Sequence, residues 1–315
     1  MSSALPLRRA PDATAILLMI GLCVVWGFQQ VAIKEANASV PPLLQAGIRS
    51  SIATVLVWIW TRSRGLALFS RDNTLAAGLL AGVLFGGEFV CIFLGLSLTS
   101  ATRLVVFLYT APCFMALGLH FFIPGEKLRR VQWTGIALAF GGIAIAFADG
   151  FLHPSPDSAS TWQGTAGDVL GVLGGLFWAA TTVVIRATPL ARASASKTLF
   201  YQLGVSAIVL LGLAAVLGQT HIGTITLTAV ASLAYQAVIV AFLSYLTWFW
   251  LLTRYMASRL SVFSFLTPIF GVAFGVLLLG ETLTTRFVIA SALVVAGIGL
   301  VNAPAARAQT SKRTI

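Results

Sequence analysis

The sequence predicts an all-α integral membrane protein of ten transmembrane helices, arranged as two five-helix repeats of inverted topology. Three observations carry this prediction: the composition, ten apolar runs of spanning length, and an internal match between the two halves. Of 315 residues, 58% are hydrophobic and only 9% charged, with a mean hydropathy of +0.94. Soluble domains are about a quarter charged, so most of this surface must face lipid. The formal net charge of +11 comes from basic residues scattered between apolar runs. Nucleic-acid binders instead gather them in one patch, so no nucleic-acid partner is expected.

A helix needs about 20 apolar residues to cross a bilayer. Such runs occupy approximately Ala13–Ile33, Leu43–Thr61, Thr74–Leu96, Arg103–Phe122, Trp133–Ala148, Gly167–Ile185, Thr198–Gly218, Thr228–Leu252, Leu260–Gly280 and Phe287–Val301. Arg8 and Arg9 before the first run resemble a signal-peptide start, and Ala36-Asn37-Ala38 a cleavage site. The run is too long for a signal core, however, and Lys34 and Glu35 stand just before the cleavage site, so a retained first helix is expected. Connections are short except for Gly150–Gln163, rich in Ser and Pro. This divides the chain into a first repeat (13–149), an external linker (150–166), a second repeat (167–302) and a cytoplasmic tail (303–315). Alternate connections hold Arg8 and Arg9; Arg62, Arg64 and Arg71; Lys127, Arg129 and Arg130; Arg186, Arg192 and Lys197; Arg254 and Arg259; and Arg307, Lys312 and Arg313. These are most of the basic residues, and they share a side with both termini. Cytoplasmic loops are enriched in Lys and Arg, so both termini are expected in the cytoplasm.

The repeat is visible in residues that apolar helices do not share by chance. Trp26 to Lys34 (WGFQQVAIK) matches Trp178 to Arg186 (WAATTVVIR). ATRLVVFLYTAP from Ala101 aligns with ASRLSVFSFLTP from Ala257, pairing Arg103 with Arg259 and Pro112 with Pro268. One residue of slippage then sets Gly125-Glu126 opposite Gly280-Glu281, and Gly142-Ile143 opposite Gly297-Ile298. Five crossings is an odd number, so the second half enters from the other side, an architecture common in secondary transporters.

The segments SATRLVVFLYTAPCFMALGLHFFIPGEKL and MASRLSVFSFLTPIFGVAFGVLLLGETL resemble the EamA-type repeat of ten-helix carriers in the drug/metabolite transporter superfamily. The Gly-Glu after the fourth helix of each repeat, the early Trp of each half, and Arg49 also fit that pattern. The resemblance implies a bacterial inner-membrane carrier that exports amino acids or related small metabolites by alternating access. It assigns no substrate ligand. Carriers of organic cations, sugars or drugs are the alternative; a membrane-embedded enzyme or a sensor is further off. No nucleophile–base pair, metal-ligand set or phosphate-binding loop is seen, so no enzyme activity and no cofactor are expected. The partners are a small-molecule substrate, the bilayer and, as a candidate coupling ion, protons, with the chain a monomer or homodimer.

Candidate site residues follow from the cost of polarity inside a bilayer. Glu88 and Arg49 are the deep charges, about 12 Å and about 9 Å below the same surface at about 1.5 Å rise per residue. Their depths allow an ion pair that merely neutralises both. They also allow a site in which Glu88 meets a proton or an amine and Arg49 a carboxylate. Trp26, Gln29, Gln30, Tyr109, Trp178, Tyr235 and Gln236 form a second polar and aromatic set, with Gln202, Tyr245 and Trp248 beside it. Pro112 and Pro268 are hinge or helix-break candidates, because proline frees a backbone carbonyl. Trp58, Trp60 and Trp133 suit interfacial anchoring. Gly78, Gly82 and Gly86 at helical spacing suit close helix packing. Cys23, Cys91 and Cys113 lie in apolar runs without ligand spacing and read as core residues. His120, His153 and His221 do not form a metal site. Glu126 and Glu281, at opposite ends of the bundle, are expected to cap or tether.

Overall fold

A computed structural model describes residues 11–66, 68, 72–122, 127–152, 161–255, 260, 263–264 and 266–302. Arg8, Arg9, Arg71, Glu126, His153, Arg259 and the tail with Arg307, Lys312 and Arg313 lie outside the described residues. Among the described residues every regular element is helical; eight helical runs are long and apolar enough to span a membrane, and two more, Leu266–Leu279 and Thr285–Val301, are shorter.

The first three helices are α1 (Ala13–Ala36), α2 (Pro42–Ser63) and α3 (Leu75–Leu96). Asp12 starts α1 by accepting from the Ala15 amide at 2.9 Å, and Pro42 starts α2 where its missing N–H costs nothing. The fourth run is one span, Ala101–Phe122, broken in the middle. α4 (Ala101–Leu108) ends and α5 (Ala111–Phe122) begins around Tyr109 and Thr110, just ahead of Pro112. Pro112 thus sits in the first turn of a new helix, as a residue lacking its N–H should. Pro268 occupies the matching place near the start of α11 (Leu266–Leu279).

α6 (Arg130–Leu152) and α7 (Thr161–Ala187) extend several residues into the expected linker. Apolar patterning marks only the part of a helix that faces lipid or core, so the Ser- and Pro-rich stretch around 150–163 gives no sign of where these helices end. After α8 (Ala195–Val216), the eighth run departs from a simple helix. It comprises α9 (Leu227–Ala234), a π-helix over Tyr235–Ser244, and α10 (Tyr245–Arg254). α12 (Thr285–Val301) closes the bundle.

α3 packs on α7 and α8, α2 on α8 and the π-helix, and α1 on α11, α9 and the π-helix. α4 and α5 pack on α7, α4 on α11, and α6 on α12. Small residues set these approaches. A Cβ added to Gly78 would lie 2.5 Å from the Tyr201 ring, and one on Gly82 would lie 2.7 Å from the Tyr201 carbonyl oxygen. The glycine ladder of α3 therefore packs within the monomer, against α8. On α6, a Cβ on Gly142 would meet the Ala290 carbonyl at 2.6 Å; on α12, a Cβ on Gly297 would meet that of Gly135 at 2.5 Å. Trp58, Trp60 and Trp133 are exposed, and all three cysteines are buried and unbridged.

Candidate functional site

Arg49 on α2 and Glu88 on α3 are both buried, but they do not form a direct ion pair. Arg49 is fully enclosed. Its Nη2 donates to the Tyr245 hydroxyl at 3.3 Å, and its guanidinium lies 4.0 Å from the centre of the Phe89 ring. A cation over a desolvated aromatic face gains roughly 2 kcal/mol, which holds Arg49 in place without a carboxylate. Glu88 is 7% exposed and remains within electrostatic reach of Arg49. The matching depths put the two charges near one another; Phe89 and Tyr245 take the direct contacts with Arg49.

Polar atoms of both side chains are buried without a hydrogen-bond partner: Arg49 Nε and Nη1, and Glu88 Oε2. Unmade hydrogen bonds in an apolar interior cost about 1–3 kcal/mol each, and more for charged groups. The surrounding wall is aromatic. Phe85 stacks edge-on with Phe89 at 4.8 Å and faces the Tyr245 ring at 6.3 Å. Tyr109, at the break between α4 and α5, lies within electrostatic reach of Glu88 and Tyr245. It meets Trp178 of α7 edge-on at 5.3 Å. Two donors, a carboxyl group and an aromatic wall thus converge from α2, α3, the α4–α5 break, α7 and α10. Tyr245 is among the polar aromatics that the sequence offers; Phe85 and Phe89 are not. A Phe in an apolar run carries no sign of what it touches.

The remaining candidates gather elsewhere. Trp26 Nε1 donates to Ser244 Oγ at 2.8 Å, Tyr235 donates to the Val25 carbonyl at 2.8 Å, and Gln236 Nε2 donates to the Ala32 carbonyl at 3.3 Å. All three bonds dock the π-helix onto α1. A π-turn widens the backbone and turns its side chains to new directions, which is how Tyr235, Gln236 and Ser244 reach one neighbour. Gln236 also donates to Gln45 Oε1 at 2.7 Å, and Gln45 donates to Asn37 Oδ1 at 3.0 Å. Gln29 and Gln30 are buried on the same helix, and Gln30 Oε1 is without a partner.

Three ion pairs among the described residues tie the ends of the bundle. Arg103 grips Asp168 through Nε at 3.0 Å and through Nη2, while Thr99 donates to the same carboxylate at 2.8 Å. Lys34 pairs with Glu281 at 2.9 Å, and Lys197 with Asp72 at 2.8 Å. Asp168 opens its apolar run rather than interrupting it, so the sequence does not mark it as a buried charge. Glu281 does tether, as its position after a helix end suggested.

The model of the EamA-like transporter family matches residues 13–148 and again 165–303. The chain belongs to the EamA-like transporter family. It is a multi-pass membrane transporter. A "Probable amino-acid metabolite efflux pump" of Salmonella typhimurium is 28% identical over 296 residues, covering 91% of this chain and 93% of that protein. The Escherichia coli protein of the same description is 26% identical over 308 residues, with 91% and 93% covered. An "Uncharacterized transporter" of Archaeoglobus fulgidus is 28% identical over 291 residues, with 91% and 96% covered. A solved crystal structure superposes with a TM-score of 0.62 at 20% identity, covering 92% of this transporter and 98% of that chain, which supports the fold alone.

Proposed function

We propose that this transporter is a secondary carrier of the bacterial inner membrane that exports amino acids or related small metabolites by alternating access. Its ten spans form two inverted repeats, 13–149 and 167–302, joined by the external segment 150–166, with both termini and the tail 303–315 in the cytoplasm. Reciprocal contacts support the inverted repeat. Gly142 opposes Ala290 while Gly297 opposes Gly135, and the register that aligns Gly142 with Gly297 carries one contact onto the other. Such self-complementary contact is the mark of a two-fold axis. Likewise Thr99 and Tyr255, each four residues before the matched arginine, hydrogen-bond an aspartate in the N-terminal part of the first helix of the other half, Asp168 within α7 and Asp12 at the cap of α1.

The observation that carries the functional reading is the unmatched chemistry of the central cluster. Arg49 Nε and Nη1 and Glu88 Oε2 are buried without partners and without each other. A solute bearing both a carboxylate and an amine would satisfy both ends at once, and its side chain would lie against Phe85, Phe89, Tyr109 and Trp178. The names of the Salmonella and Escherichia coli relatives point to the same solute class. The reading assigns no bond-making chemistry to the chain, in keeping with a carrier rather than an enzyme.

The test is counterflow in proteoliposomes against amino acids, organic cations and sugars. Amino-acid counterflow is expected, lost in Arg49→Gln and altered in its pH profile in Glu88→Gln. Exchange of sugars alone by folded protein would overturn the substrate assignment, and an unchanged rate and pH profile in Glu88→Gln would remove Glu88 from coupling.

A further inference from the structure

Glu281 stands in the short connection between α11 and α12, beside the end of α1 and the start of α4. Its Oε1 accepts from Lys34 Nζ at 2.9 Å and from the Ala101 amide at 2.7 Å, and its Oε2 accepts from the Thr102 amide at 2.9 Å. One carboxylate therefore joins three elements that nothing in the chain order brings together. The first amides of a helix have no partners within it, and a negative charge there is favourable. Ser100 Oγ takes the Arg103 amide, so Glu281 completes the cap from a distant part of the chain. Gly275 makes room for it: a Cβ there would lie 2.8 Å from Glu281 Oε2 and 2.5 Å from Thr102 Cγ2.

The same start of α4 is held from the other side by Asp168, and the two attachments differ in kind. Asp168 is 3% exposed as a side chain and binds Arg103 through two nitrogens, so separation would strand both charges. Lys34 is 34% exposed as a side chain, and the amides that Glu281 caps lie at a helix end. Water can take over the Lys34 ammonium directly, while Ala101 and Thr102 are buried as the attachment stands and their amides reach water only as α4 and the α11–α12 connection part. Separation strands no second buried charge, so this attachment is the weaker of the two.

We infer that Glu281 is a releasable latch closing this end of the transporter, with Arg103–Asp168 the fixed brace on which α4 stays while the latch opens. The inference deepens the alternating-access reading and rests on it. Release frees the α11–α12 connection and the end of α1 from α4, parting elements of the two halves. Burial pushes the Glu281 carboxyl up, but the Thr102 amide, the Lys34 ammonium and the Ala101 amide together outweigh it and hold the group below the ordinary carboxylate range. A carboxyl whose pKa is depressed in the latched state favours that state above the ordinary carboxylate range and ceases to as pH falls through the depressed value. Around neutral pH the latch is closed by default.

Two measurements test this. In a background with Cys23, Cys91 and Cys113 replaced by Ala and transport retained, Lys34→Cys with Glu281→Cys is joined by a short reducible bis-thiosulfonate linker. Counterflow should fall to background on linking and return on reduction; full counterflow in fully linked protein overturns the latch. Separately, Thr102→Cys in the same background is labelled with a water-soluble maleimide in nanodiscs, with and without Glu281→Gln. Losing the charge-assisted bonds should raise the labelling rate about tenfold, and an unchanged rate overturns the latch. Labelling needs no substrate, so failure of the amino-acid assignment leaves this readout standing. It also carries the test should the double-cysteine protein not fold.

Discussion

Removing Asp168 is the most direct probe of what holds the fourth span to the sixth. Asp168→Ala deletes the acceptor for Arg103 Nε, Arg103 Nη2 and Thr99 Oγ1 together. At about 1.5–3 kcal/mol for each hydrogen bond to a charged group, the gross loss would exceed 4 kcal/mol. Arg103 keeps one bond, from Nη2 to the Ala146 carbonyl at 3.0 Å, and its side chain is 19% exposed, so part of its charge stays satisfied. The expected net cost is then about 3–5 kcal/mol, the range for stranding one member of a buried pair. The assay is reversible unfolding in mixed micelles titrated with SDS, followed by helix content. Arg103→Met in the Asp168→Ala background should restore most of the loss, because the stranded charge, not the missing attraction, is the larger penalty. A cost under about 1 kcal/mol for Asp168→Ala, or no recovery in the double variant, would refute the reasoning.

Other expectations follow from individual contacts. Gly82→Ala places a Cβ against the Tyr201 carbonyl and Val205 and should cost about 1–3 kcal/mol in the same titration; Gly212→Ala, with nothing within 4 Å, should cost far less. Ser244→Ala leaves Trp26 Nε1 unpaired and should destabilise by about 1–3 kcal/mol, whereas Trp26→Phe in the Ser244→Ala background should recover part of that loss. Asp12 is held below the ordinary carboxylate range by the Ala15 amide and then the Tyr255 hydroxyl. Its depressed value means the cap is intact above the ordinary carboxylate range and is lost as pH falls through the folded value. Amide exchange at Ala15 should therefore accelerate in Asp12→Ala near neutral pH, and equal protection in that variant would exclude the cap.

Much of the architecture was legible in residue types alone. The apolar runs located the eight helical runs of spanning length and the two shorter apolar helices among the described residues, because a lipid-facing backbone must bond to itself and the side chains must be apolar for about 20 residues. Prolines marked the starts of α5 and α11, and the glycine ladder on α3 announced a close helix neighbour. The π-helix left no such sign, since Tyr235–Ser244 is apolar enough to read as an ordinary α-helix. Its widened turns are visible only in what Tyr235, Gln236 and Ser244 reach on α1.

The central site divides the same way. Sequence determined that Arg49 and Glu88 lie inside apolar runs, because charge there is costly and therefore conspicuous. Only the tertiary structure decided that Arg49 lies over Phe89 and bonds Tyr245, without forming a direct ion pair with Glu88. It also decided that Trp26, Tyr235 and Gln236 serve a helix interface, and that Asp168 and Glu281 serve the two sides of one helix start. The physical reason is range. Burial cost and helix periodicity act within about 20 neighbouring residues and are written in local order, whereas hydrogen bonds and ring contacts act over a few ångströms between residues that may stand more than a hundred positions apart, and folding alone chooses those partners.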